Sequence, residues 1–151
     1  MNVLMNYKFI YEFIMSKKTI RKIPKKYTAR LSRRDRSKQK KNLIRSRKMY
    51  KKGIYIDRPK LKSYPNKRSD WVIKFEKRYN HKITDKNYID KNIISKKGQN
   101  KILSKGRGAY YSSGSRPNQT SDSWAYARLA SVIMGGPARK IDNDIWLSEK
   151  R

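Results

Sequence analysis

Along the chain, apolar side chains recur at helical spacing from residue 69 onward, whereas residues 17–52 show only scattered apolar positions between runs of Lys and Arg. Ser32 is placed to N-cap a helix that ends at a Gly53 C-cap. Its apolar stripe is thin, comprising Leu43, Tyr50 and the aliphatic stem of Arg47, and most of its circumference is cationic. Residues 53–69 read as an extended connection, a linker or an edge strand, because Pro59 holds Arg58 out of helical geometry and Pro65 follows. A second helix starts at Ser69, with Asp70 in its first turn, Val72, Phe75 and Tyr79 on one face and Trp71 beside Phe75.

Thr84-Asp85 opens a third helix carrying Tyr88, Ile89 and Ile93, which Lys96-Lys97-Gly98 is expected to break. A short fourth helix over residues 100–104 turns Ile102 and Leu103 inward, so that helix, Gly-containing turn and short helix trace a helix-turn-helix-like outline that any small helical domain also produces. Residues 106–120, rich in Gly and Ser, are expected to form a structured loop. Ser121 then N-caps a helix with Asp122 in its first turn and Trp124, Ala125, Leu129, Val132 and Ile133 as its apolar surface, until Gly135-Gly136-Pro137 ends it. A last short helix over residues 142–147 buries Ile145 and Trp146. The predicted fold class is therefore mostly α. Residues 17–58 form a long basic arm or helix, residues 59–147 a small domain of about four short helices with a signature loop, and residues 148–151 a tail.

The start of the chain differs in character. Residues 1–15 are apolar, but Lys8 and Glu12 interrupt them short of the roughly 20 residues a membrane span needs, so no membrane span is expected. Lys17 and Lys18 follow the apolar run, the reverse of a signal peptide. Residues 1–16 read as an apolar leader, and Met15 is an alternative start to Met1.

Charge turns this outline into a functional expectation. The 151 residues include 41 Lys and Arg against 11 Asp and Glu, a formal charge of +30. With 36% hydrophobic residues and a mean hydropathy of −1.05, the chain has material for one small core. Self-repulsion of that size calls for an anionic partner. Between residues 17 and 52, Asp35 is the sole acidic side chain. Zero Cys removes disulfides, thiolate metal sites and thiol nucleophiles, and the single His81 rules out a multi-histidine zinc site. No cofactor or metal is expected.

The loop of residues 106–120 runs into a helix N-terminus, a general way to hold an anion, and Arg107 and Arg116 are placed to close such a site. It has neither P-loop nor dinucleotide spacing. The competing reading is architectural: Gly108 and Gly114 take special backbone angles while Ser112, Ser113 and Ser115 satisfy loop amides. Tyr110 and Tyr111 beside Arg107 resemble a stacking platform in which one ring meets a base and the other packs inward. Arg128, one turn after Trp124, is placed for an internal hydrogen bond or for reaching that loop. Candidate nucleic-acid contacts are thus Lys101, Lys105, Arg107, Tyr110, Arg116 and Arg128 in the domain, with Arg33, Arg34, Lys40, Lys41, Arg45 and Lys48 in the arm. Asp142 and Asp144 are the nearest thing to a paired-carboxylate nuclease site, and a thin one.

The strings GAYYSSGSRPNQT and SWAYARLAS, within residues 105–136, resemble an uncharacterised protein family encoded by large DNA viruses of algae and protists. The resemblance extends upstream through RRDRSKQKKNLIRSRKMYKKGIY, residues 33–55, and downstream to Ile145, with departures at Pro137, at Arg139 and in the helix-turn-helix-like middle. It implies a viral origin, hence a place in the virion or the infected host cell, and no activity. The function expected from residues and resemblance together is non-enzymatic binding of nucleic acid, DNA ahead of RNA, through largely sequence-independent phosphate contacts. The alternative is a minor structural virion component whose basic arm ties together acidic protein subunits. A nuclease is third.

Overall fold

The computed structural model describes residues 22–151, so the apolar leader and the choice between Met1 and Met15 lie outside the described residues. A one-turn 3-10 helix, Lys25–Tyr27, precedes seven α-helices: α1 Arg33–Lys51, α2 Asp70–Tyr79, α3 Lys86–Asn92, α4 Lys96–Ser112, α5 Ser121–Ile133, α6 Pro137–Ile141 and α7 Asn143–Glu149. Among the described residues the β component is one isolated bridge, Ile94 to Lys150, and the fold is mostly α as the periodicity predicts.

The centre is the pair α4 and α5. Ile102 and Leu103 of α4 meet Ala125, Leu129 and Val132 of α5 in a core from which water is excluded. The backbones come closest at Gly106, where an added Cβ would lie 2.6 Å from the Cα of Ala125. A mid-helix glycine costs about 1 kcal/mol of helix propensity. Here it lets two helices share a flat contact that any side chain would pry apart. Val72 and Phe75 of α2, Ile89 of α3 and Ile145 of α7 complete one continuous cluster. α1 lies outside it, against α4.

Several boundaries differ from those expected, each for an identifiable reason. The third predicted helix ends before Lys96: Ser95 N-caps α4 by accepting from the Gly98 N–H at 3.1 Å, and Lys96-Lys97-Gly98 form the first turn. Gly98 is a notch, since a Cβ there would stand 2.6 Å from the Cβ of Glu149 on α7. The fourth helix then continues to Ser112, so Gly106 and Gly108 are helical and the signature loop shrinks to residues 113–120. Thr120, not Ser121, caps α5, in a reciprocal capping box with Ser123. α5 stops at Ile133, ahead of Gly135 (φ 75°) and Gly136 as expected, and Pro137 then occupies the first turn of α6. The extended connection before α2 forms no strand, but Leu61 is buried, and Asn118 (φ 60°) bonds both its N–H (2.7 Å) and its carbonyl (3.1 Å).

Two glycines of α4 give a test of this packing. Gly106→Ala is expected to destabilise the protein by about 1–3 kcal/mol in chemical denaturation, because the methyl overpacks the helix pair. Gly108→Ala, with no heavy atom within 4 Å of its added Cβ, is expected to stabilise it by up to ~1 kcal/mol. Equal effects from the two would contradict the close approach.

Candidate nucleic-acid interface

The sequence of α1 contains ten Lys and Arg and a single acidic residue, and the fold disposes of both kinds. Ser32 N-caps it, accepting from the Asp35 N–H at 3.2 Å. Asp35 is occupied by Ser63, whose hydroxyl donates at 2.6 Å and whose N–H donates at 3.0 Å; these bonds hold its carboxyl below its ordinary pKa. The inward face is not the expected apolar stripe but Gln39, Leu43 and Ser46, all buried. Gln39 Nε2 donates to the Tyr27 carbonyl (3.2 Å), and Arg47 Nε donates to the Ser113 carbonyl (2.8 Å). A helix with little apolar surface is thus held by hydrogen bonds to the backbone of its neighbours.

The opposite face is uniform. Arg34, Lys38, Lys41, Arg45 and Lys48 follow one another at steps of four and three residues, which on a helix is one cation per turn, about 5.4 Å apart. All five are exposed, and among the described residues none lies within 4 Å of a carboxylate. Arg33 and Lys40, also exposed, flank the row. Every arm residue expected to contact nucleic acid is therefore on the surface. Lys38, absent from that expectation, is part of the row, and its 3-4 spacing from Arg34 and Lys41 was the signal for it.

The domain residues fare differently. Tyr110 is fully buried, so the expected base stacking is closed to it. Its ring lies under the Arg58 guanidinium at 3.8 Å and its hydroxyl accepts from the Arg58 N–H at 3.1 Å. The two adjacent tyrosines lie on a helix, not an extended segment, with rings at 90°; Tyr111 is partly exposed and donates to Asp57 at 3.0 Å. Arg58, which the sequence marked only as preceding a proline, also donates to the Tyr110 carbonyl (2.8 Å), Ser46 (3.0 Å) and Ser115 (2.9 Å). Burial lowers its pKa, and the neighbouring phenols oppose that.

Arg128 points inward to Asp142, at 2.7 and 2.9 Å, and Lys105 reaches the same carboxylate at 2.9 Å. Asp142 is fully buried and its two oxygens are taken, so the Asp142–Asp144 pair forms no open carboxylate site. Arg107 pairs with Asp122 at 2.6 Å, and the N-terminus of α5, the expected anion seat, is closed by Thr120 and Ser123. Gly114 does take a special angle (φ 126°), whereas Gly108 is ordinary helix, and the buried Ser115 accepts from Arg58 and donates to the Arg116 carbonyl (2.8 Å) where a bond to a loop amide was expected. Lys101 and Arg116 remain exposed. Arg116 lies near Lys26, whose pKa falls chiefly through burial and then through that like charge. His81 stacks on Tyr88 at 3.5 Å, with Nδ1 3.1 Å from Asp85. Among the described residues no three His, Cys, Asp or Glu gather into a metal site, and no helix is long and apolar enough to cross a membrane.

Comparison with known proteins gives one match. The model of a family of unknown function, DUF5824, matches residues 24–146, from just before the 3-10 helix into α7. No curated protein and no solved structure matches the chain.

The clamp on Asp142 makes a pH-dependent prediction. Burial alone would raise its pKa, but the bonds from Arg128 and Lys105 outweigh burial and lower it. Such a carboxylate stabilises the fold fully above its unfolded-chain pKa, near 3.9, and loses that contribution as pH falls through the lower folded value. Asp142→Asn is therefore expected to cost about 2–3 kcal/mol at neutral pH, leaving the partly buried Arg128 without its counter-charge. In denaturation curves the gap to wild type should begin to narrow below about pH 4 and go on narrowing as pH falls through the lower folded value. A gap that is the same at pH 3 and pH 7 would remove the ionised clamp.

Proposed function

We propose that this chain, which belongs to that family of unknown function (DUF5824), is a non-enzymatic nucleic-acid-binding protein whose contacts are chiefly with the phosphate backbone. The observation that carries this reading is the row Arg34, Lys38, Lys41, Arg45 and Lys48 on the outer face of a helix whose one carboxylate is tied to Ser63. A polyanion meeting it releases condensed counterions, so affinity is strongly salt-dependent and largely independent of sequence. Because Arg47 and Arg58 fasten α1 to α4 and the loop, the row is ordered before the ligand arrives, which lowers the entropic cost of binding. Lys101 and Arg116 add positive charge elsewhere on the domain. The viral origin implied by the resemblance belongs to the same proposal: a protein of the virion or the infected cell, with DNA ahead of RNA as its ligand.

Fluorescence anisotropy of a labelled duplex with the full chain, titrated at several salt concentrations, tests it. Wild type is expected to bind with a steep slope of log K against log salt, and the triple variant Lys38→Gln, Lys41→Gln, Arg45→Gln to lose about two to three from that slope. The substituted side chains are exposed, so circular dichroism should stay unchanged. An unaltered slope, or no binding near physiological salt, would overturn the reading.

A further inference from the structure

The C-terminal end of α1 carries an aromatic surface that the fold does not use. Gly53, in the left-handed region at φ 77°, turns the chain back so that its N–H bonds the Tyr50 carbonyl and the Ile54 N–H bonds the Met49 carbonyl, both at 2.9 Å. This reversal brings Tyr55 against Tyr50, with ring centroids 5.8 Å apart, and against Tyr111 of α4, 5.2 Å away on a 50° tilt. The three rings form a contiguous row, yet Tyr55 is 65% exposed, Ile54 50% and Tyr50 36%. Scattered apolar residues on a surface need no explanation, but adjoining aromatic ones do.

The row is also fixed in place. Tyr111 is held through its hydroxyl to Asp57, and three residues beyond Tyr55 the Arg58 guanidinium is bonded into α1, α4 and the loop. The surrounding charge is positive: Lys48 and Lys51 lie in the last turn of α1 and Lys52 follows, while the nearby Asp57 accepts the Tyr111 hydroxyl. An acidic peptide would satisfy the lysines and leave the ring faces idle, and a duplex keeps the faces of its bases stacked inside. An unpaired strand offers both complements, phosphates for the lysines and open base faces for the rings.

We infer that Tyr55, backed by Tyr50 and Tyr111, stacks an unpaired base of a single-stranded nucleic acid whose phosphates engage the cations ending α1. This rests on the phosphate-binding reading above and narrows its ligand. Stacking on exposed tyrosines tolerates any base, so the preference is for strandedness and not for sequence.

The experiment is anisotropy of the full chain with a labelled oligothymidine and with a duplex of equal length, at one salt concentration, comparing wild type with Tyr55→Ala and Tyr55→Phe. Tyr55→Ala is expected to lose about tenfold on the single strand and nothing on the duplex, and Tyr55→Phe to keep wild-type affinity. An abasic oligomer should bind wild type as weakly as oligothymidine binds Tyr55→Ala. Equal loss on single strand and duplex, no loss on either, or competition by polyglutamate that depends on Tyr55 would overturn the stacking role. Single-strand binding that responds to the α1 triple variant but not to Tyr55→Ala would overturn this inference and leave the phosphate reading standing; binding to neither nucleic acid overturns both.

Discussion

One guanidinium organises the basic half of this molecule. Arg58 lies over the buried Tyr110 ring and bonds the Tyr110 carbonyl, Ser46 of α1 and Ser115 of the loop, thereby joining three segments through one side chain. Its acceptors are neutral oxygens, with no carboxylate among them. A fork of fixed donors suits that task as a lysine ammonium would not, because several acceptors in different directions are met by one rigid plane. Without such a pin, a helix bearing ten cations and burying one leucine has little reason to lie against a neighbour in a chain of charge +30.

The acidic residues are distributed accordingly. Asp142 is clamped between Arg128 and Lys105, Glu76 holds Arg68, Asp90 holds Arg151 and Asp122 holds Arg107. These pairs lie beyond α1 in the chain, while α1 keeps one carboxylate and hands it to a serine. Five cations of the domain, Arg68, Lys105, Arg107, Arg128 and Arg151, are thus paired with carboxylates, whereas none of the five on the outer face of α1 is within 4 Å of one among the described residues. The aromatic row at the end of the same helix adds a feature that net charge alone does not supply.

Most helices could be read from period and caps: Ser32 as a cap with Gly53 closing the same helix, Val72 and Phe75 on one face of α2, Thr84-Asp85 opening α3, and Leu129, Val132 and Ile133 inside α5. The errors share a cause. Glycine reads as a breaker because of its backbone entropy, whereas Gly98 and Gly106 are there because another element passes too close for a Cβ, and the identity of that element is nowhere in the local sequence. The same blindness put Tyr110 on the surface and left Arg128 open between an internal bond and a ligand: an aromatic and an arginine are as suited to a buried hydrogen bond as to a ligand, and their partners, Arg58 and Asp142, lie 52 and 14 residues away.

By itself the sequence determined the helical class, the excess of positive charge and its concentration in the first third, since these follow from period and count. The tertiary structure decided which cations are available. Whether Arg128, Lys105 or Arg107 faces solvent or a carboxylate depends on which distant acid the fold brings within about 3 Å, because an ion pair is a property of distance, not of composition. It also decided that the exposed aromatic row would be Tyr50, Tyr55 and Tyr111, assembled from a helix end, a turn and a second helix that become neighbours only when the chain folds.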